Sequence, residues 1–509
     1  MTKPNPVLRN IIANYASQLY VIALGLAVVP LYIKYMGIEA FGLIGFFAML
    51  QTWMTLFDLG LGPAFGREAS KFRAGKISAG ALNLFLQTIE RTFFALGASI
   101  VLIGWMSGEW VATEWLKLDV VHRQDTSTSI VLVGVIFSMR LMSGVYRNGL
   151  LGLENQVQAN VILTIVATLR SALVLPILIW VSASLLTFFS FQIFAAIVET
   201  WLLKLALGKS LPDHRIEKFQ WIILKEPLRF GGGAALLAWV WIATSQVDKL
   251  ILSHLLSLKE YAGYILATTV AFGVYSLISP LQQAILPRLV ILSEQNKHHQ
   301  FMSLYRLTSM LLVAVVAGVA GAIVAYPEQV LYAWTGDLPL AAQVAQVLKW
   351  YAAGTGFMAI AGMGYVLQNA KGDLRLHINS NIVSLLFFVP LLIVSTLHFG
   401  AIGAAMAWAA INLFFLTIWT TFVHKKFLPE LTARWLLVDI GPGVGVAALI
   451  VIAAQFTNWP FTGRMASLAA LVSLATGIAG AVLMIHRETR KLVCEQFQRM
   501  VTSICNQNP

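Results

Sequence analysis

The sequence predicts an all-α, polytopic membrane protein of about 14 transmembrane helices, built as two pseudo-symmetric six-helix lobes plus two appended helices. Three observations predict it. Of 509 residues, 58% are apolar and only 11% are charged, against about 45–50% and about 25% in a soluble domain. The apolar residues come in repeated runs of about 20, the length that crosses a bilayer as a helix. Lys and Arg are divided very unevenly between alternate polar breaks, the signature of fixed orientation. Mean hydropathy is +0.76, which excludes a soluble enzyme with one aqueous-facing core.

The runs fall at 11–33, 38–60, 81–106, 127–149, 159–181, 185–205, 230–255, 261–283, 307–330, 343–367, 378–398, 401–423, 436–456 and 466–486. Strands of an outer-membrane barrel are about ten residues long and alternate strictly; these runs are too long and too uniformly apolar. The first is read as an anchor that stays, because no small-residue cleavage site follows a short apolar core. Spans 1–6 make an N-lobe over 1–208. Residues 209–228 mix charge with Trp221, Ile222, Ile223 and Leu224 and read as an amphipathic cytoplasmic linker. Spans 7–12 make a C-lobe over 229–426, spans 13–14 occupy 427–486, and 487–509 is a polar cytoplasmic tail carrying Cys494 and Cys505. No segment between spans has room for a soluble catalytic domain.

Charge sets the orientation. With the N-terminus inside, and with Arg147 and Lys204 at the cytoplasmic ends of spans 4 and 6 counted inside, 25 of the 35 Lys and Arg lie in inside segments, 5 outside and 5 within spans. Counting acids, with Glu39 and Glu328 at the outer ends of spans 2 and 9 placed outside, the inside segments carry +15, the outside −3, and the spans are neutral. The formal net charge of +12 is thus a positive-inside signal rather than a nucleic-acid surface. Both termini are expected in the cytoplasm.

An internal repeat supports two lobes. Glu39-Ala-Phe-Gly42 opens span 2 and Glu260-Tyr-Ala-Gly263 opens span 8; each glycine precedes an arginine, Arg67 and Arg288, by 25 residues. Ala159-Asn160 and Ser380-Asn381 open spans 5 and 11 at the same offset of 221. A parallel repeat of this kind places a pseudo-two-fold axis along the membrane normal.

Ionisable residues inside spans are costly and mark function by default. Arg91, Arg140 and Arg170 lie deep in spans 3, 4 and 5, and Lys249 in span 7. The functional reading is a cationic cavity whose guanidinium groups clamp phosphate or carboxylate; the competing reading is neutralisation in place. Among the acids, Glu90 and Asp248 adjoin Arg91 and Lys249, but neighbours on a helix point about 100° apart and need not pair. Glu199 is either an ion or proton carrier or a static partner of Arg170. Asp58, in Leu56-Phe-Asp-Leu-Gly-Leu-Gly-Pro63, reads as a cap or hinge. Pro30, Pro176, Pro280, Pro390 and Gly231-Gly-Gly233 interrupt spans and are candidate bends. Lys349 reads as a snorkelling residue. Trp105, Trp110, Trp115, Trp334 and Tyr326 read as interface anchors.

Several motifs are absent. There is no G-x-x-x-x-G-K-[ST]: Leu203 stands where Gly208-Lys-Ser210 would need its first glycine. Neither H-E-x-x-H nor G-x-S-x-G occurs. The chain is read as a transporter rather than an enzyme, with no cofactor and no metal.

Asn14, the run Pro30-Leu-Tyr-Ile-Lys-Tyr-Met-Gly37-Ile-Glu-Ala-Phe-Gly42-Leu, then Phe57-Asp-Leu-Gly-Leu-Gly62, Arg67-Glu68 and Gln246-Val-Asp-Lys-Leu-Ile-Leu-Ser253 resemble the polysaccharide repeat-unit flippases (O-antigen, Wzx type) of the multidrug/oligosaccharidyl-lipid/polysaccharide exporter superfamily. The resemblance covers most of the chain. It implies transfer of an undecaprenyl-diphosphate-linked oligosaccharide from the inner to the outer leaflet, for surface polysaccharide biosynthesis. It implies a cationic cavity that Arg91, Arg140, Arg170 and Lys249 match by type. As partners it implies the lipid-linked oligosaccharide, membrane lipids, a polysaccharide polymerase and a chain-length regulator, and no nucleic acid. A multidrug antiporter and a lipid II flippase share the architecture. An antiporter for cationic drugs should have an acidic cavity, and here spans 3, 4 and 5 each hold an arginine.

Overall fold

The structure is a computed structural model. It describes residues 6–118, 120–211, 222–457 and 463–491, with side chains over 16–118, 123–211, 239–457 and 463–491. The described residues form helices and no strand.

α1 (Pro6–Met36) ends at Gly37, whose φ of +87° an L side chain resists. α2 (Ile38–Met54) tightens into a 3₁₀ turn over Thr55–Asp58, and left-handed Leu59 and Gly60 break the chain before α3 (Leu61–Arg73). α4 (Ala79–Trp110) is capped by Ser78 Oγ, which accepts from Ala81 N at 3.2 Å. α5 (Val120–Gly152), α6 (Gln156–Ser171) and α7 (Val174–Trp180) follow, then α8 (Leu185–Gly208), capped by Ser184. α9 is Ile222–Leu255 and α10 Leu258–Glu294. α11 (His298–Ala325) leads to α12 (Pro327–Thr335) and α13 (Leu338–Ala370), the last capped by Asp337. α14 (Arg375–Phe414), α15 (Thr420–Phe427), the single turn α16 (Thr432–Arg434), α17 (Gly441–Gln455) and α18 (Arg464–Ile485) complete the order.

Eleven of these segments are long and apolar enough to cross a membrane. One of them, 375–427, is two helices joined at Gly400, where φ is +59° and ψ −142°. A Cβ on nearby Gly403 would overlap the Ser395 carbonyl oxygen, so the elbow admits no side chain there. Helices α9 and α13, 34 and 33 residues long, cover the expected spans 7 and 10, so helices lie over all fourteen expected runs. Span 5 is divided between α6 and α7.

Pro30, Pro280 and Pro390 lie inside α1, α10 and α14, where proline frees a carbonyl without ending the helix. Gly231-Gly-Gly233 likewise lies within the continuous α9. The break between spans 11 and 12 falls at Gly400, where glycine alone tolerates the backbone angles. Of the expected linker at 209–228, residues 212–221 lie outside the described residues, and 222–228 begin α9. The tail from 492 also lies outside them.

Two compact units emerge, Met1–Ala262 and Gly263–Pro509. The boundary is later than the expected lobe boundary, because α9 packs against α2, α3 and α4. In the first unit, Leu61, Phe65, Phe85, Ile89, Phe137 and Tyr146 form the centre of the core. Inside a membrane, helices associate through close packing more than through water exclusion, so small residues sit at crossings. A Cβ on Gly152 would overlap the Gly66 carbonyl oxygen, which fixes α5 against α3. Tyr32 Oη donates to the Ser171 carbonyl at 2.7 Å and ties α1 to the end of α6.

The second unit is organised on α11, which packs against α13, α17 and α18. A Cβ on Gly318 would stand 2.5 Å from the Ala475 carbonyl oxygen. Arg306 of α11 binds Asp439, in the turn before α17, through Nε at 2.8 Å and Nη2 at 2.7 Å. The repeat is imperfect. The offset of 221 sets α2, its 3₁₀ turn and α3 against α10 alone, with Pro280 opposite Leu59.

Candidate functional site

The sequence-predicted site residues up to Lys249 all lie in the first unit, where three groups can be distinguished.

The first group is deep. Arg140 is half-buried on α5 and donates through Nη1 to the side-chain oxygen of Gln51 on α2. Its guanidinium feels the charges of both Arg170 on α6 and Glu199 on α8. Helix α8 is registered against α5 at this level by Thr200 Oγ1, which contacts Ser143 Oγ at 2.8 Å and donates to the Met139 carbonyl at 3.2 Å. Gln192 Nε2 donates to the Arg170 carbonyl at 2.9 Å and registers α8 against α6. Three helices thus bring a second guanidinium group and one carboxylate within electrostatic reach of Arg140. Glu199, which the sequence offers as a partner of Arg170, also acts on Arg140.

The second group lies where α4 begins and α8 ends. Glu90 accepts from Tyr146 Oη at 2.5 Å and faces Lys204 Nζ at 3.1 Å. Lys204 also stands over the Tyr146 ring, 5.8 Å from its centroid. A pocket of about 270 Å³ opens here, lined by Asn83, Gln87, Glu90, Arg91, Tyr146 and Lys204 among others. Its lining includes Arg91 but neither Arg140 nor Arg170.

The third group is on α9. Lys249 Nζ lies 3.6 Å from Asp248 Oδ1 and donates to the Ser245 carbonyl at 3.1 Å. The expectation that these neighbours need not pair is corrected: a four-carbon stem lets the ammonium swing back to a fully buried carboxylate. Nearby, Trp115 Nε1 donates to Ser253 Oγ at 2.9 Å, and the His254 ring nitrogen Nδ1 is 3.0 Å from the Trp115 carbonyl.

Asp58 Oδ1 accepts from Gly62 N at 3.1 Å, which makes it a cap for the start of α3. Among the described residues no group of three or more His, Cys, Asp or Glu is placed to hold a metal ion. Sequence reasoning passes over Gln51, Tyr146 and Lys204 as site residues. In the sequence Lys204 counts only as an inside charge, and its partner lies 114 residues away in the chain.

A family described as polysaccharide biosynthesis protein matches residues 7–293, more than half of the chain. The chain belongs to that family. No curated protein matches it. Among solved structures, the lipid II flippase MurJ in an inward closed conformation is 13% identical with a TM-score of 0.71, over 96% of this chain and 100% of that one. An inward-facing multidrug resistance MATE transporter of the MOP superfamily is 12% identical with a TM-score of 0.69, over 82% and 96%. The MATE multidrug transporter DinF-BH is 17% identical with a TM-score of 0.58, over 84% and 96%. At these identities the likeness is one of fold. Together the family and the spans make this chain a multi-pass membrane protein with a place in polysaccharide biosynthesis, on a fold shared with these flippases and transporters.

Proposed function

We propose that the protein translocates undecaprenyl-diphosphate-linked oligosaccharide units from the cytoplasmic to the periplasmic leaflet of a bacterial inner membrane by alternating access, with both termini in the cytoplasm. The observation that carries this reading is the deep group on α5, α6 and α8: Arg140 lies in the field of a second guanidinium, Arg170, and of one carboxylate, Glu199. One positive charge is left over, and two planar guanidinium forks match the oxygens of a diphosphate. In a low-dielectric surrounding that excess attracts an anion far more strongly than it would in water. Lys249, held by Asp248, is the weaker contributor.

MurJ is by its title a lipid II flippase, which supports a polyprenyl-diphosphate cargo on this fold. The multidrug antiporters share the fold too, but a site for cationic drugs needs an acidic surplus, and the deep charges of α5 and α6 are arginines. The substrate is accordingly an acidic lipid-linked sugar, made for O-antigen or exopolysaccharide. The polymerase and chain-length regulator that consume such units are the expected partners.

The test is charge reversal. Arg140→Glu and Arg170→Glu should each abolish surface polysaccharide while the protein still inserts in the membrane. Normal polysaccharide in both variants would overturn the reading.

A further inference from the structure

Span 5 is broken beside one of its deep charges. Arg170 is the last residue but one of α6, halfway along the expected span. Beyond it the helical ladder changes step. The Leu173 amide donates to the Thr168 carbonyl, five residues back, at 3.1 Å. The Leu175 amide donates to the Ala172 carbonyl, three back, at 3.1 Å. Pro176 has no amide to offer Ala172. Two carbonyls at this turn accept from side chains of other helices. Gln192 Nε2 on α8 donates to Arg170 at 2.9 Å, and Tyr32 Oη on α1 donates to Ser171 at 2.7 Å. At this depth lipid offers no substitute donor. Tyr32 is buried, its ring set edge-on to Phe188 of α8 with centroids 5.4 Å apart, and it lies in the field of Arg170. Arg140 is fixed through its own side chain by Gln51, whereas Arg170 is held through its carbonyl.

The internal repeat supplies the comparison. At the offset of 221, Leu391 stands for Arg170, Leu413 for Gln192 and Ser253 for Tyr32. There α14 runs on through Leu391, although Pro390 precedes it directly. A proline alone therefore does not open the turn. The open turn, the arginine and both side-chain donors occur together, in the half that carries the deep charges. Transporters place interrupted helices at their binding sites.

We propose that Gln192 and Tyr32 are positioning residues for Arg170. By engaging the two carbonyls they keep span 5 open at this turn, and the open turn sets the direction in which the Arg170 side chain leaves the helix. Without them the carbonyls pair with the amides that follow, the turn rewinds, and position 170 rotates away from Arg140. This role rests on the reading of Arg170 as a diphosphate ligand, and separate readouts test the two.

The experiment uses the full chain in its membrane, with Cys494 and Cys505 replaced by serine. Arg170→Cys places a thiol at the site. Its rate of modification by an anionic, water-soluble thiosulfonate reports which way position 170 faces, with no arginine present. Adding Gln192→Leu or Tyr32→Phe should slow that reaction about tenfold, the weight of one ordinary hydrogen bond in an equilibrium. With the arginine restored, Gln192→Leu should lower surface polysaccharide about tenfold on the same grounds. Gln192→His, which keeps an N–H at similar reach, should bring it back. A thiol that fails to react with both donors in place, or rates unchanged in both variants, would overturn the proposal. So would slowed rates with polysaccharide intact, if Arg170→Glu abolishes it. Slowed rates with normal polysaccharide in Arg170→Glu would support the aiming of position 170 and overturn the diphosphate reading alone. Should Gln192→Leu fail to insert, Tyr32→Phe, which keeps the ring against Phe188, carries both readouts.

Discussion

Arg306 and Asp439 meet through two parallel hydrogen bonds of 2.7 and 2.8 Å, with the carboxylate fully buried and the guanidinium only 17% exposed. The pair joins α11, the centre of the second unit, to the first of the appended spans. Asp439→Ala removes both hydrogen bonds of the guanidinium and leaves it only the more distant field of Glu488, and should cost about 2 kcal/mol. Arg306→Met in that background should recover part of the loss. Thermal denaturation in detergent reads both.

Gln51 is the neutral acceptor that aims Arg140. Gln51→Leu keeps the volume and removes the oxygen. A lost hydrogen bond to a charged group is worth about 1.5–3 kcal/mol. Surface polysaccharide should fall about tenfold or more, with Gln51→Glu worse still because it neutralises the arginine. Unchanged polysaccharide in both variants would mean that Arg140 needs no aiming.

Two glycines of the same helix should respond oppositely. At Gly152 an added methyl would overlap the Gly66 carbonyl oxygen and stand 3.0 Å from Ala69 Cβ, whereas at Gly144 it meets nothing within 4 Å. Gly152→Ala should destabilise by about 3 kcal/mol. Gly144→Ala should be neutral or stabilise by about 0.5 kcal/mol through lost backbone freedom. Melting temperatures of the two variants, side by side, test this.

Outside the spans, Asp373 accepts from Lys426 Nζ at 2.6 Å and from Arg375 N at 3.1 Å. The Lys426 contact, then the backbone one, hold its carboxyl below the usual range. A lowered folded pKa means that this contribution to stability is whole above about pH 4, the unfolded value, and fades as pH falls through the folded one. Lys426→Met should therefore lower the melting temperature at pH 7, and the difference should shrink to nothing in strong acid. A difference that persists there would place the effect in packing rather than charge.

Orientation can be read by reporter fusions. A fusion after residue 75 should report the cytoplasm and one after residue 118 the opposite face. The reverse result would invert the charge argument.

Hydropathy made the spans legible because each must bury a continuous run of about 20 residues, whatever its neighbours. The same logic found the turn between spans 11 and 12, where His398-Phe-Gly400 separates two apolar runs. Asp58 was legible as a cap because capping is local. Glu90 with Lys204, and Arg140 with Gln51, were not. Their partners are 114 and 89 residues away, and no local rule reports which helices become neighbours. Asp248 with Lys249 was missed for a different reason. The 100° between adjacent residues describes Cβ directions, and a lysine ammonium lies far enough along its stem to cancel that angle.

Packing places α9 with the helices that precede it, so the boundary between the units falls at Ala262 and Gly263, inside α10. The sequence repeat, in contrast, restarts before α9. A gene duplication that copied six spans would have left its seam there, one helix ahead of the seam in the folded chain. Anyone expressing the protein as two separate polypeptides would meet the difference directly. A cut at the duplication seam strands α9 on a fragment without α2, α3 and α4, and a cut at Ser257 keeps those four helices on one ribbon.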